Sequence, residues 1–230
     1  MKSTTLTRTV AIIISFFFCF LWINQSIQAQ ERFRAGAMLG FNLAQLDGDN
    51  ISGYNKTGIS GGLRVATVFN RRLDFMVEML YTQTGSRHKS DGRPLDFSSN
   101  IKPVHIRLNF VEVPLMINYH FKQLENKLFR YEFFAGASFG RLISTKVTEE
   151  PSVSGRTPTY ADLVEDFNKN QVGIILGIKY NFDENLGVAL RHTIAANRLY
   201  LNEDFDGSEL YQMRSFFLSL HAMYMFDIDY

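Results

Sequence analysis

Residues 105–121, His-Ile-Arg-Leu-Asn-Phe-Val-Glu-Val-Pro-Leu-Met-Ile-Asn-Tyr-His-Phe, limit what this chain can become more than any other stretch. From Val111 every second residue is apolar (Val111, Val113, Leu115, Ile117, Tyr119, Phe121), while Glu112, Asn118 and His120 stand on the other face. A period of two held this long exceeds the roughly 5 to 6 residues of a mean strand. A strand tilted across a bilayer needs about 9 to 11 residues with one face in lipid, and its polar face must then look into a closed lumen. The pattern predicts a small transmembrane β-barrel.

Composition fits that expectation. Mean hydropathy is −0.09, low for a helical membrane protein but natural for a barrel, since only half of each strand faces lipid. With 230 residues, 24 basic and 23 acidic, the chain suits one domain and has no basic surplus to suggest a nucleic-acid partner. Residues 1–29 read as a cleaved secretory signal peptide that leaves a barrel domain of residues 30–230. Lys2 and Arg8 give a basic start, 10–23 is an almost unbroken apolar run, and Ile27-Gln28-Ala29 ends in a small residue suited to cleavage. A transmembrane anchor is the alternative, but the run is shorter than the ~20 residues a helical span needs. Cys19 lies between Phe17-Phe18 and Phe20-Leu21-Trp22, without the small residues of a lipoprotein site. Once the signal is removed, neither cysteine nor tryptophan remains, which excludes disulfides, thiol chemistry and Cys-based metal sites. Loss of Lys2 and Arg8 leaves 22 basic residues against 23 acidic ones, a net charge of −1.

Similar alternation recurs at 33–43, 58–69, 73–81, 129–140, 171–182, 186–193 and from about Met213. The gaps run long, short, long, short, long, short, long: 46–57, 70–72, 85–104, 122–127, 143–170, 183–185, and a last one holding Glu203-Asp204 and Asp206-Gly207. The 143–170 gap, with Pro151, Gly155 and Pro158, is uncommonly long for a compact soluble domain. The fold class is therefore all-β, an eight-stranded antiparallel up-and-down transmembrane barrel with both chain ends on the short-turn side. Bacterial barrels keep short turns in the periplasm and longer loops outside, so the gap lengths orient it. Among outward positions, Phe33, Phe69, Phe75, Tyr119, Phe121, Phe129, Tyr131, Tyr180, Phe182, Tyr224 and Phe226 fall near the short-turn ends. They are expected to form a periplasmic-side aromatic girdle, because the bilayer interface favours a ring with an apolar body and a polar edge. Phe41, Tyr81, Phe139 and Phe216 are candidates for a thinner outer girdle.

Three stretches carry a family resemblance. They are Asn42-Leu43-Ala44-Gln45-Leu46-Asp47-Gly48-Asp49 leading into Ser52-Gly53-Tyr54-Asn55-Lys56-Thr57-Gly58, then Val77-Glu78-Met79-Leu80-Tyr81-Thr82-Gln83-Thr84-Gly85, and Val111-Glu112-Val113-Pro114-Leu115-Met116-Ile117. The chain resembles the PorT-like outer-membrane barrel family of Gram-negative bacteria over essentially the whole mature sequence, most strongly in the first four strands. The resemblance implies an eight-stranded barrel in the cell outer membrane, assembled from the periplasm and surrounded by outer-membrane lipids. The family's namesake is associated with a protein secretion system, although no residue diagnostic of that role transfers to this chain.

The sharpest chemical feature is inward charge. By the alternation, Arg34, Arg64, Lys179 and Arg191 share the lumen with Glu78, Glu112 and Glu132. Eight strands enclose only enough room for side chains, and an unpaired buried ion is costly, so these charges are expected to pair across the lumen as a structural network. A proton or ion path through the same residues is the functional alternative. Asp47-Gly48-Asp49-Asn50 hints at calcium, but Ser52 stands where an EF-hand glycine belongs and Gly58 where the bidentate Glu belongs, which leaves a turn. Arg87, His88, Lys89 and Arg93 could meet lipopolysaccharide phosphates, with a solvated loop as the default. An outer-membrane enzyme would want His192 near Ser144, Ser138 or Thr193 with an orienting acid, and no His-Glu-x-x-His or phosphate-binding loop is present. No catalytic residue, cofactor or metal site is expected. A soluble lipocalin-like barrel would instead hide its apolar side chains inside. The sequence thus reads as a small outer-membrane barrel with a structural or surface-binding role, monomeric, which presents the 85–104 and 143–170 loops to lipopolysaccharide or an envelope protein.

Overall fold

The computed structural model describes residues 33–47, 53–88, 104–123, 129–149, 162–201 and 212–226, so the segment read as a signal peptide lies outside the described residues. The strands are β1 (Phe33–Asp47), β2 (Lys56–Asn70), β3 (Leu73–His88), β4 (Val104–Gln123), β5 (Phe129–Glu149), β6 (Asn170–Asn181), β7 (Leu186–Ala195), β8 (Tyr200–Leu201) and β9 (Gln212–Met225). A 3-10 helix, Asp162–Asp166, lies between β5 and β6. Each long strand pairs antiparallel with its neighbours in sequence, β7 pairs with β9, and β9 returns to β1. Eight long strands therefore close on themselves, which leaves no free sheet edge. The two-residue β8 adds to the outer end of β9. Among the described residues no helix is long and apolar enough to cross a membrane.

Asx-type chemistry closes the short-turn end. Asn70 Oδ1 accepts from the backbone N–H groups of Arg72 and Leu73, at 2.8 and 3.0 Å. Asp183 Oδ1 does the same for Asn185 and Leu186, at 2.8 and 2.6 Å. The start of β1 and the end of β9 lie here as well, tied by the Phe226 N–H donating to the Ala35 carbonyl at 2.8 Å.

The wall has the facing expected for lipid. Leu39, Leu63, Ile117, Ile174 and Leu176 are exposed, and Leu115 is 47% exposed beside Glu112 at 3%. The soluble alternative required these apolar side chains inside, and they are outside. Pro114 sits in the middle of β4, where proline is unusual because it lacks an N–H for the ladder. The β3–β4 ladder accordingly skips from Val77↔Leu115 to Leu80↔Glu112, with the register unchanged on either side. The gap falls beside Glu78, a residue at the centre of the lumen.

Several strands outrun their sequence-based limits. β1 continues to Asp47, β2 begins at Lys56, β3 reaches His88 and β5 reaches Glu149, so the proposed loops at 46–57, 85–104 and 143–170 shrink. β4 and β5 hold 20 and 21 residues, about twice what a tilted strand uses to cross a bilayer. The reason is a reversal of the hydrophobic pattern. Beyond Val111 the alternation persists, but Ile106, Leu108 and Phe110 are now fully buried while Arg107 is exposed. A bulge at Ile143 marks the same level on β5, since Phe110 pairs with Leu142 and Asn109 with Ser144. Past it, Val147 packs inward and Lys146 is exposed.

Candidate functional site

The candidate site is the lumen and its outer cap, stacked in four layers from the short-turn end. The first is polar. Glu132 accepts from Asn118 Nδ2 at 2.8 Å, from Asn181 Nδ2 at 2.6 Å and from Lys179 Nζ at 3.2 Å. His120 bridges two carboxylates, with Nε2 at 2.6 Å from Asp74 Oδ2 and Nδ1 at 3.4 Å from Glu132 Oε1. The second layer is apolar and includes Met38, Met76, Met116, Phe134, Ile175 and Met223. Gly177 makes room for it, because a Cβ there would lie 2.2 Å from Cζ of the Phe134 ring.

The third layer is a charge cluster. Glu78 accepts from Arg64 Nε at 2.8 Å and, through its other oxygen, from Arg191 Nη2 at 2.7 Å. All three side chains are at most 3% exposed. The Arg191 guanidinium also lies 5.5 Å from the centroid of the Phe134 ring. Glu112 accepts from Thr82 Oγ1 at 3.1 Å, and its Oε1 has no hydrogen-bond partner among the described residues. Two arginines and two glutamates thus share one buried layer, a nominally balanced set.

The fourth layer seals the outer end. Leu46, Ile106, Leu108, Phe110 and Met213 are fully buried and pack with Phe167, Leu199 and Tyr200. The 3-10 helix and the residues after it deliver this cap. The Leu142 N–H donates to the Lys169 carbonyl and the Asn168 N–H to the Leu199 carbonyl, each at 2.7 Å.

Of the seven charges placed in the lumen from sequence, the structure buries Arg64, Glu78, Glu112, Glu132, Lys179 and Arg191. Arg34 is the correction. It is exposed near the start of β1, and its Nη2 donates to the Glu184 carbonyl at 2.7 Å, so it ties the rim to a short turn. Alternation gave its face, but a position so close to the strand start leaves the side chain in solvent. The alternation turns Asp74 and His120 inward, but the sequence reading left them out of the charge network, where they meet across 46 residues. It also missed the cap, although Ile106, Leu108 and Phe110 announce it by repeating the period of two in opposite phase.

Near the short-turn end, aromatic rings contact one another along the wall. Phe121 stacks on Tyr131 and on Phe133 at centroid distances of 5.3 and 4.7 Å, Tyr131 meets Tyr180 at 5.4 Å, and Tyr180 meets Phe182 at 5.2 Å. Phe33, Phe69, Tyr119, Tyr224 and Phe226 are exposed there, and Phe75 is half-buried. Phe129 departs from the girdle, with its ring 5.3 Å from that of the buried His120. Toward the outer end, Phe41, Tyr81 and Phe139 are exposed and Phe216 is half-buried.

Among the described residues no catalytic group assembles around His192. Its Nε2 lies 3.0 Å from the Tyr54 hydroxyl, while Ser138 and Thr193 are buried on the other side of the wall. The sequence reading took Gly-x-Ser-x-Gly to be absent, but two such spacings occur, at 58–62 and 136–140. Both sit inside strands, not on the strand-to-helix turn that exposes a nucleophile. Ser60 Oγ does meet His221 Nε2 at 2.8 Å, but both are buried and His221 Nδ1 has no partner among the described residues. Of the calcium candidate, residues 48–50 lie outside the described residues, as do residues 89–103 with Lys89 and Arg93 of the basic loop.

A closed eight-stranded wall, apolar outside and filled with side chains inside, defines a membrane barrel of the outer-membrane type. Residues 28–199 match the family model "Outer membrane protein beta-barrel domain", and the chain belongs to that family. It is therefore a small outer-membrane barrel protein. Solved structures with similarity include Ail, the attachment invasion locus protein of Yersinia pestis, at 11% identity and TM-score 0.44, covering 84% of this chain and 98% of that one. Neisserial surface protein A (NspA) shows 13% identity and TM-score 0.42, with 84% and 97% covered. OprG from Pseudomonas aeruginosa shows 12% identity and TM-score 0.34, with 85% and 95% covered. No curated protein matches the chain.

Proposed function

We propose that this protein is a sealed, non-catalytic scaffold of the PorT-like kind. In this reading it holds a folded extension above the outer membrane for an envelope partner and carries nothing through its lumen. The observation that supports it is the outer cap, in which Leu46, Ile106, Leu108, Phe110 and Met213 close the lumen with side chains that are 0% exposed. The buried charges below act as struts: Glu78 holds two arginines from different strands, and Glu132 joins β4, β5 and β6. The barrel works as a monomer, since its eight long strands already complete the ring.

Planar-bilayer recording tests the sealing. The wild-type barrel is expected to leave the membrane at baseline conductance, whereas Phe110→Ala with Met213→Ala opens discrete steps. Steady ohmic current through the wild type would overturn the proposal. The likeness at 42–58, 77–85 and 111–117 to the PorT-like family favours a second reading, a part in protein secretion. A deletion strain that exports its full set of secreted proteins would remove it.

A further inference from the structure

The outward wall of β3, β4 and β5 changes character above Val111. Register places its residues in rows: Tyr81, Val111 and Arg141 at the edge of the apolar belt, then Gln83, Asn109 and Ser144, then Gly85, Arg107 and Lys146, and at the top Arg87, His105 and Thr148. With strands about 4.8 Å apart and about 6.8 Å per two residues, the four cations fall within roughly 10 by 20 Å. Arg107 and Lys146 stand directly opposite one another, an arrangement that destabilises a sheet unless something neutralises it. Arg87 lies one row up, diagonal to Arg107.

Among the described residues no acid pairs with Arg87, Arg107 or Lys146. Across the barrel the outer end of the wall is different, since Arg214 of β9 has Asp47 of β1 directly opposite. The crowding reaches neighbouring groups. Burial first, and then Lys56, Arg107, Arg87 and Lys146, hold the His105 imidazole below its ordinary range. Burial together with Arg107 and Arg87 does the same to the Lys56 ammonium. His105 Nε2 is buried without a hydrogen-bond partner among the described residues. Arg141 is already engaged, its Nη1 donating to Asn170 Oδ1 at 2.6 Å.

We propose that this face binds the phosphorylated sugar headgroup of the outer-leaflet glycolipid, lipopolysaccharide, with Arg107 and Lys146 sharing one phosphate and Arg87 reaching a second anionic group. Charge complementarity argues for phosphate. Height argues for a lipid, because the patch begins where the apolar belt of Tyr81, Val111 and Phe139 ends, at the long-loop end of the barrel. The amides of Gln83 and Asn109, paired at 3.1 Å, and the hydroxyls of Ser144 and Thr148 offer partners to sugar hydroxyls, which a simple glycerol headgroup would leave unused. The proposal rests on the long-loop end facing outward and not on the sealing of the lumen, so a conducting wild type would leave it standing.

The test is binding of fluorescent bisphosphoryl lipid A to the full barrel in neutral detergent micelles. Saturable binding is expected, with fully dephosphorylated lipid A failing to compete and phosphatidylglycerol competing at least tenfold less well. Arg87→Gln, Arg107→Gln and Lys146→Gln together should weaken binding on the order of a hundredfold, at about fivefold per cation. Arg107→Gln alone should cost about fivefold, which keeps the test open if the triple variant folds poorly by heat-modifiable gel mobility. Arg71→Gln with Arg72→Gln, at the opposite end, should change nothing. Equal competition by dephosphorylated lipid A or by phosphatidylglycerol, undiminished binding by the Arg107 variant, or an equal loss from the Arg71 and Arg72 pair would each overturn the proposal.

Discussion

The lower and upper halves of β4 solve opposite problems with the same period of two. From Val111 to Tyr119 the outward residues are apolar and exposed, while Glu112, Met116, Asn118 and the other inward residues are buried. From His105 to Phe110 the apolar residues are buried, and the outward set is His105, Arg107 and Asn109. Nothing in the ladder changes, since β4 is hydrogen-bonded to β5 along its length apart from one bulge. What changes is the solvent outside. Lipid rewards an apolar exterior and leaves the polar groups to satisfy each other inside, whereas water rewards an apolar interior. The switch between Phe110 and Val111 therefore marks the membrane boundary along the strand, and it separates a charge-strutted barrel from an extension with an ordinary hydrophobic core.

Substitutions can break or sharpen this contrast. The largest effect belongs to Glu78→Leu, which strands two buried arginines and should cost up to about 5 kcal/mol, read as a lower urea midpoint of heat-modifiable gel mobility. If the midpoint is unchanged, the cluster is no strut. Phe110→Ala should cost about 3 to 4 kcal/mol, but locally. Protease added outside should cut the extension faster while the membrane-level barrel keeps its gel mobility, and simultaneous loss of both would mean that the two halves are one cooperative unit. The third experiment places the same charge on either side of the boundary. Leu115→Arg should destabilise by about 2 to 3 kcal/mol, whereas Asn109→Arg, which loses its Gln83 partner and joins the neighbouring cations, should cost less than about 1 kcal/mol. Equal costs would erase the boundary.

Much of this was open to reading in the sequence because alternation is local. The run from Val111 to Phe121 fixes which face each residue takes, and that alone puts Glu112 inside and Leu115 outside. The turns were readable too, since Asn70 and Asp183 are residue types that bond the backbone two and three residues on. Cross-lumen partners were not. Arg191 meets Glu78 across 113 residues, a pairing set by barrel closure and strand stagger that no local pattern encodes. Arg34 shows the limit of alternation from the other side, because face can be read from parity while depth depends on where the strand enters the barrel. The extension was legible in principle at Ile106, Leu108 and Phe110. It went unread because a search for apolar residues on the lipid face sees a reversed phase as the end of a strand.

The most direct test is a single-cysteine scan from position 105 to 119 in whole cells, a clean experiment if the segment holding Cys19 is removed from the mature chain. Positions 107 and 109 should react with a membrane-impermeant maleimide, 113, 115, 117 and 119 should be quenched only by lipid-borne probes, and 106, 108, 112 and 116 should resist both. Lipid quenching that continues without change of phase from 119 up to 107, or water-borne labelling at 113 to 117, would contradict the account.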